Sequence, residues 1–346
     1  MARFITIIIL ILLLAGGFTA WKLLGPATGF PEKSHAFIIP EGKTDKASVT
    51  RILRENKIIG SEWAFSLLAS RMRMGENIRP GKYEVRKGES MLNIVRMLKN
   101  GKLAEYKLVI NRLRLKEDFA RLVSKTFRPD SASVMHYLNS NDSLRQFGVD
   151  TGNVFTLIIP DTYQFYWNTS ITRILRKLAD SRDAFWKKNN RLQKAEQSGL
   201  TQEQVYTLAS IVDEETNYES DKYKIASVYI NRLHTGMPLQ ACPTIKYAMR
   251  NFALTRIYEK YLTNPSPYNT YRRKGLPPGP ICTPSPKTID IVLDAPKTDY
   301  LYFVAKSDFS GYHHFSNNYD EHERYAREYQ KALDAYMARK QQNAQP

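Results

Sequence analysis

Cysteine is scarce in this chain: Cys242 and Cys282 are its only two. They form no C-x-x-C pair and lack zinc-site spacing, so a thiolate zinc centre is excluded. Spacing alone leaves both a bridge between them and two free thiols open. Neither lies near the N-terminus, which excludes a lipoprotein. Acid is also in short supply, with 34 Asp+Glu against 51 Lys+Arg and a net charge of +17. Such an excess points to an anionic partner: nucleic acid, anionic lipid or a carboxylate-bearing wall polymer. No recognisable nucleic-acid motif accompanies the charge, so nucleic acid is set aside. What is present is apolar: hydrophobic residues make up 42% and aromatics 12% of 346 residues, enough for two domains with a sizeable core.

The segment from Phe4 to Trp21 is almost wholly apolar and is flanked by Arg3 and Lys22. That approaches the roughly 20 residues needed to cross a bilayer, and Trp21 suits an interfacial position. The expectation is an uncleaved anchor over residues 1–24. A signal peptide cleaved near Ala15-Gly16-Gly17 is the alternative. Residues 25–34 (GPATGFPEKS) read as a polar Gly/Pro linker.

A strand-then-helix pattern follows three times, in AFIIPEGKTDKASVTRILREN, KYEVRKGESMLNIVRMLKNG and YKLVINRLRLKEDFARLVS, with a further helix around 62–72. Short strands alternating with helices predict a small α/β module over residues 35–126. Within it Tyr83–Met91 resembles the opening of a LysM module, a peptidoglycan-binding fold, or is a generic strand–turn–helix. Beyond it the pattern predicts a helical stretch to about Val149, an aromatic-rich turn at IIPDTYQFYW, and a basic amphipathic helix over 171–196. A helix over 221–233 carries Tyr223, Ala226, Ile230 and Leu233 on one face. Residues 264–286 form a long Pro/Gly/Tyr-rich loop, a strand spans 300–305, and a final amphipathic helix spans 320–340.

One short stretch carries chemistry. Residues 208–217 read LASIVDEETN, with three consecutive acids. Thr201 and Gln204 form a T-x-x-Q capping box, so a helix begins there. At about 100° per residue, Val205, Leu208, Ala209, Ile211 and Val212 share one apolar arc. Glu215 falls inside that arc, Asp213 at its margin or beyond, and Glu214 on the opposite, solvated side. An unpaired carboxyl on an apolar face has a raised pKa, as a general acid near neutral pH requires. The other reading is a buried glutamate paired with a structural arginine such as Arg232.

Four segments then occur in order: LASIVDEET, KIASVYINRLHTGMPLQACPTIKYA, SPYNTYRRKGLPPGPICTPS and TDYLYFVAKSDFSGYHHFSNNYDEH. With IIPDTYQF and the N-terminal apolar segment, they resemble the YceG-like endolytic murein transglycosylases over nearly the whole chain. The resemblance implies an α+β fold: a transmembrane helix, a LysM-like α/β module, then a mixed α/β catalytic domain over 127–346. It implies a lyase that cuts the β-1,4 bond between N-acetylmuramic acid and N-acetylglucosamine without water, leaving 1,6-anhydro ends and using no cofactor. In the family motif A-S-I-V-E-x-E the second acid is catalytic, which falls on Glu215. The first acid is Asp213 here. Asn231, Gln240, Tyr268, Asn269 and Tyr271 become candidates for holding sugar acetamido and hydroxyl groups. Asn231 could equally support a structural bond, and Tyr268 could be core. The family usually has Asp where this chain has Cys242; with Cys282 in the other motif loop, a Cys242–Cys282 disulfide is implied. His313 and His314 point to opposite faces of a strand and no third ligand has suitable spacing, which argues against a metal. The implied setting is the inner membrane, single-pass, with the catalytic part outside and glycan strands and peptidoglycan synthases as partners. The alternative is a non-catalytic, glycan-binding scaffold.

Overall fold

The apolar N-terminal segment is one helix, α1 (Ala2–Leu24), in the computed structural model, which describes residues 2–75 and 77–342. Its Arg3–Leu24 span is long and apolar enough to cross a membrane, and only near its end does it touch the first unit, where Leu23 packs partly buried on the core.

The first unit follows: β1 (Ser34–Ile39), α2 (Lys46–Glu55), α3 (Glu62–Arg71), β2 (Gly81–Arg86) and α4 (Met91–Lys99). Each helix starts where a short polar side chain can take an orphan backbone N–H. Asp45, Ser61 and Ser90 accept from Ser48, Ala64 and Asn93 respectively. The strands are antiparallel, and alternation puts Phe37, Ile39, Tyr83 and Val85 inward. Phe37 stands opposite Tyr83 and stacks on it at 5.7 Å. Val49, Leu53, Phe65, Ile94 and Leu98 close the core from the helices. The LysM-like stretch forms β2 and the start of α4, and the strand partner of β2 is β1.

Residues 25–34 are not a free linker. Ala27 N–H donates to the Glu89 carbonyl (2.9 Å), Gly29 N–H to Lys57 (2.9 Å), and Gly60 N–H returns a bond to Ala27 (3.1 Å). Phe30 sits in the core. Gly/Pro-rich composition reports the absence of a repeating ladder, whereas these backbone groups pair singly. The boundary between the units also differs from the expected 126/127. The first unit holds residues up to Lys107, with Thr126–Arg128 and Gln164–Thr169, and the second begins at Leu108. β3 (Glu105–Val109) leads into it, and α5 (Lys116–Thr126) buries Phe119, Ala120 and Val123.

In the second unit α6 (Ser131–Leu138) and α7 (Asn141–Arg145) precede β4 (Thr162–Tyr166), which from Gln164 onward belongs to the first unit. The basic helix expected over 171–196 is two helices, α8 (Ile171–Trp186) and α9 (Arg191–Gln197). Asn189 and Asn190 break it by adopting left-handed conformations (φ 57° and 56°), which asparagine tolerates better than most residues. Next come α10 (Gln202–Glu215), α11 (Glu219–His234), α12 (Cys242–Ala248) and the short α13 (Glu259–Leu262). The long loop is irregular as expected and ends at α14 (Pro286–Leu293). The antiparallel pair β5 (Tyr302–Ala305) and β6 (His313–Ser316) is covered by α15 (Tyr319–Gln342).

α10 is the axis of this unit. It packs against α9, α11, α12 and α14, and every residue from Val205 to Asp213 is buried. The Thr201/Gln204 capping box is present with both bonds formed.

Because Phe30 is core rather than linker, Phe30→Ala should destabilise the first unit by about 3 kcal/mol. Denaturant unfolding of the detergent-solubilised chain checks this; an unchanged midpoint would return the segment to linker status.

Candidate active site

The three acids at the end of α10 lie where helix carbonyls crowd negative charge, and no basic residue shares that last turn. Partners from elsewhere decide their fates. Asp213 is not a margin residue: it is 3% exposed and the most buried of the three. It accepts from Lys222 Nζ, from Thr288 Oγ1 (2.5 Å) and from Arg112 (3.2 Å). Burial works to raise its pKa, but the bonds from Lys222 and Thr288 and the charge of Arg112 prevail and hold it below the usual carboxylate range. Glu214 is not solvated either. Arg114 grips it with two bonds, of 3.0 and 2.9 Å, and Arg112 lies 3.7 Å away. The expected polar face does not exist, because the segment Asn111–Leu115 lies over that side of α10. Leu113 is fixed there by hydrogen bonds with Thr283.

Glu215 has no such cation bonded to it among the described residues. Its partner is Tyr229 of α11, whose Oη donates to Oε1 at 2.5 Å. Burial raises the Glu215 pKa to about 7, against the lowering effects of the Tyr229 bond and of Lys246 and Arg232 at longer range. The residue as a whole is half-buried. Burial, then the facing carboxylate, lifts the Tyr229 phenol well above its usual range, so it remains a neutral donor. Arg232, the suggested ion-pair partner, donates instead to the carbonyls of Leu301 (2.7 Å) and Leu239 (2.8 Å).

Tyr229 was missed in the sequence reading. The buried face of α11 is Ile225, Ala226, Val228, Tyr229 and Arg232, rotated from the expected one. A phenol on such a face needs a hydrogen-bond partner, and that signal was available.

The remaining candidates divide. Tyr271 is half-buried, with Oη 3.1 Å from Cys242 Sγ. Burial, Cys242 and Glu215 together raise its pKa, so Tyr271 and Cys242 share the electrostatic environment of Glu215. Gln240 precedes them, exposed and at φ 52°, held in that strained conformation by its N–H bond to the Thr270 carbonyl (3.0 Å). Tyr268 lies against Tyr247 with centroids 4.6 Å apart. Asn231 and Asn269 are braces. The Asn231 amide donates to Thr298 and Tyr300 carbonyls, and the buried Asn269 donates to Leu262 and Asn264 while accepting from Tyr271 N–H. His313 bonds Asp221, whereas His314 stacks on Tyr325 at 4.0 Å.

A model of the YceG-like family matches residues 37–328. The chain belongs to the YceG-like family. It is 28% identical to the endolytic murein transglycosylase of Bacillus subtilis (strain 168), covering 95% of this chain and 92% of that protein. Another relative, the endolytic murein transglycosylase of Streptococcus pneumoniae (strain ATCC BAA-255 / R6), is 33% identical over 48% of this chain and 30% of its own length. The crystal structure of a YceG-like protein from Listeria monocytogenes superposes with a TM-score of 0.56 at 26% identity, covering 85% of this chain and 99% of that one.

The disulfide implied for this YceG-like chain does not form. Both cysteines are free: Cys242 is exposed beside Tyr271, and Cys282 is buried with its thiol directed at the Ser210 carbonyl (3.4 Å). Cys282 faces α10, not Cys242. Alkylation of the native protein should therefore label Cys242 alone, with Cys282 reacting only after denaturation. Intact-mass measurement reads this directly, and a species needing reductant before either thiol reacts would contradict it.

The raised Glu215 pKa also has a stability signature. Below pH 4.5 the group is protonated in both folded and unfolded states and contributes no pH dependence. As pH rises toward 7 the unfolded chain ionises while the folded one does not, so stability falls. Glu215→Gln removes that loss. The variant should match the parent near pH 4 and exceed it by up to about 3 kcal/mol above pH 7, as measured by denaturant unfolding at both pH values.

Proposed function

We propose that this chain is a membrane-anchored peptidoglycan transglycosylase in which Glu215 acts first as acid and then as base. Family membership and the named activity of its relatives support the reaction class. The observation that carries the residue assignment is the state of Glu215: a half-buried residue with a pKa of about 7, whose hydrogen-bond partner among the described residues is a neutral phenol.

With Oε1 occupied by Tyr229, Oε2 carries the proton toward the glycosidic oxygen linking N-acetylmuramic acid to N-acetylglucosamine. Proton transfer accompanies cleavage of the C1–O bond, and the N-acetylglucosamine side leaves as an alcohol. The Glu215 carboxylate then takes the proton of the muramic C6 hydroxyl as O6 bonds to C1, closing a 1,6-anhydro ring. No water is consumed, and Glu215 ends protonated. Glycosidases ordinarily use two carboxyl groups across the bond. Here Asp213 and Glu214 are committed to cations, and a nucleophile within the substrate makes a second free carboxylate unnecessary. Gln240 and Tyr271 flank the bond-breaking position; Asn269 holds the backbone that presents Tyr271, and Asn231 braces the segment before β5.

The same reading gives the first unit a strand-holding role. A cavity of about 1150 Å³ there is lined by Lys33, Arg86, Arg96 and Lys102 alongside Glu84, Glu89 and Glu105. With α1 in the inner membrane, both units face the wall, where peptidoglycan synthases supply nascent strands.

Glu215→Gln should fold normally and lower cleavage of purified glycan strands at least about 100-fold. Parent activity should fall above pH 7 as the acid form is lost. Mass spectrometry of the products decides the reaction: anhydro ends, lighter by one water, support it, whereas reducing ends indicate hydrolysis.

A further inference from the structure

Two tyrosines outside this machinery are arranged in an unusual way. Tyr218 and Tyr312 stack with centroids 4.1 Å apart and planes 30° from parallel, yet each is 39% exposed. Rings brought together only to escape water would be covered by other side chains; these keep apolar surface open with phenol oxygens attached.

The pair is built rather than casual. Tyr218 caps the start of α11, and its N–H donates to Thr216 Oγ1 (3.1 Å). Tyr312 lies in the β5–β6 hairpin, which is fastened to α11 by the buried Asp221. That carboxylate accepts from His313 N–H at 2.7 Å and lies 3.0 Å from His313 Nδ1. Between the two rings' chain segments sits Gly311, at φ +83°. A Cβ there would fall 2.6 Å from the Tyr218 ring, so the hairpin reaches this position only with glycine.

Position links the pair to the chemistry. Tyr218 follows Glu215 by three residues, so their Cα atoms are at most about 11 Å apart. A second route runs through packing: Tyr229, the Glu215 partner, meets Phe303, and Phe303 meets His313, next to Tyr312. Aromatic faces with polar rims match pyranose rings, which present C–H groups on their faces and hydroxyls at their edges.

We propose that Tyr218 and Tyr312 form a sugar-binding subsite that stacks on a ring of the glycan strand beyond the residues flanking the cut. The proposal rests on the reading of Glu215 as the catalytic residue and adds a determinant of strand length. A strand long enough to reach the pair gains affinity from it; a fragment ending at the cut site does not. The rings contact the substrate away from the reacting atoms, so their effect falls on binding.

Calorimetry with Glu215→Gln protein and purified uncrosslinked glycan strands separates the two ideas. On that background Tyr218→Ala or Tyr312→Ala should weaken binding of long strands about tenfold, and Tyr218→Trp should restore it. On the active enzyme the same alanine changes should raise KM for long strands by a similar factor with kcat retained, and leave short fragments unaffected. Unchanged binding of long strands would overturn the subsite, as would a loss of kcat accompanied by a lowered melting temperature, which marks a structural clamp. If the parent releases no anhydro ends while the tyrosine effect on binding persists, the catalytic reading fails and the subsite stands.

Discussion

Everything at the candidate site follows from one constraint: α10 runs through the second unit with every residue from Val205 to Asp213 buried. A helix buried all round cannot leave a charge unpaired without a penalty of several kcal/mol. Three acids in its last turn, where the helix dipole already disfavours negative charge, make that constraint severe. The structure meets it residue by residue. Asp213 receives a lysine, a threonine and an arginine, and Glu214 receives a two-bonded arginine. Glu215 receives a phenol, which can stabilise a charge but cannot neutralise it. The group with no bonded cation among the described residues is the one whose proton is held to about pH 7.

Placing that group at the final residue of α10 also decides what it can reach. The chain turns immediately through Thr216 into α11, so the same helix pair supplies the carboxyl, its tyrosine partner and the stacked Tyr218. The loop before α12 adds Gln240 and leads to Cys242, the first residue of that helix; Gln240 and Ala241 are pinned by Thr270 of the long Pro/Gly-rich segment. That segment is irregular yet fixed: Asn269 satisfies two backbone groups of its own loop and the last carbonyl of α13, and Ser210 of α10 accepts from Ile281 N–H. Rigidity is obtained here from side-chain amides and hydroxyls, where a ladder would supply it in regular structure.

Local signals in the sequence proved reliable where the physics is local. The Thr201/Gln204 cap and the strand–helix alternation of the first unit depend on residues within a few positions of one another, and each formed as expected. Readings that assumed a solvent boundary failed. Opposing the apolar arc predicts water around Glu214, but the Arg112–Arg114 segment, 100 residues away in the chain, covers that side. Residues 25–34 were read as linker from glycine and proline content, yet their backbone groups and Phe30 are absorbed by the first unit. The face of α11 was misplaced for the same reason: a helix buried on most sides has a weak periodic signal. The cysteines illustrate the limit of pairwise inference, since motif loops that share a neighbourhood need not bring two thiols face to face.

By itself the sequence determined the family, the position of Glu215 on an apolar helix, the capping of that helix and the span able to cross a membrane. All of these rest on residue identity and short-range periodicity. Only the tertiary structure decided which acid keeps a protonatable carboxyl, because that depends on where Lys222, Arg112, Arg114 and Tyr229 arrive from elsewhere in the chain. It alone joined Tyr218 to Tyr312, 94 positions apart in the numbering, through Gly311 and the Asp221–His313 bond. Charge and stacking act through space over a few ångströms, and distance along the chain carries no record of it.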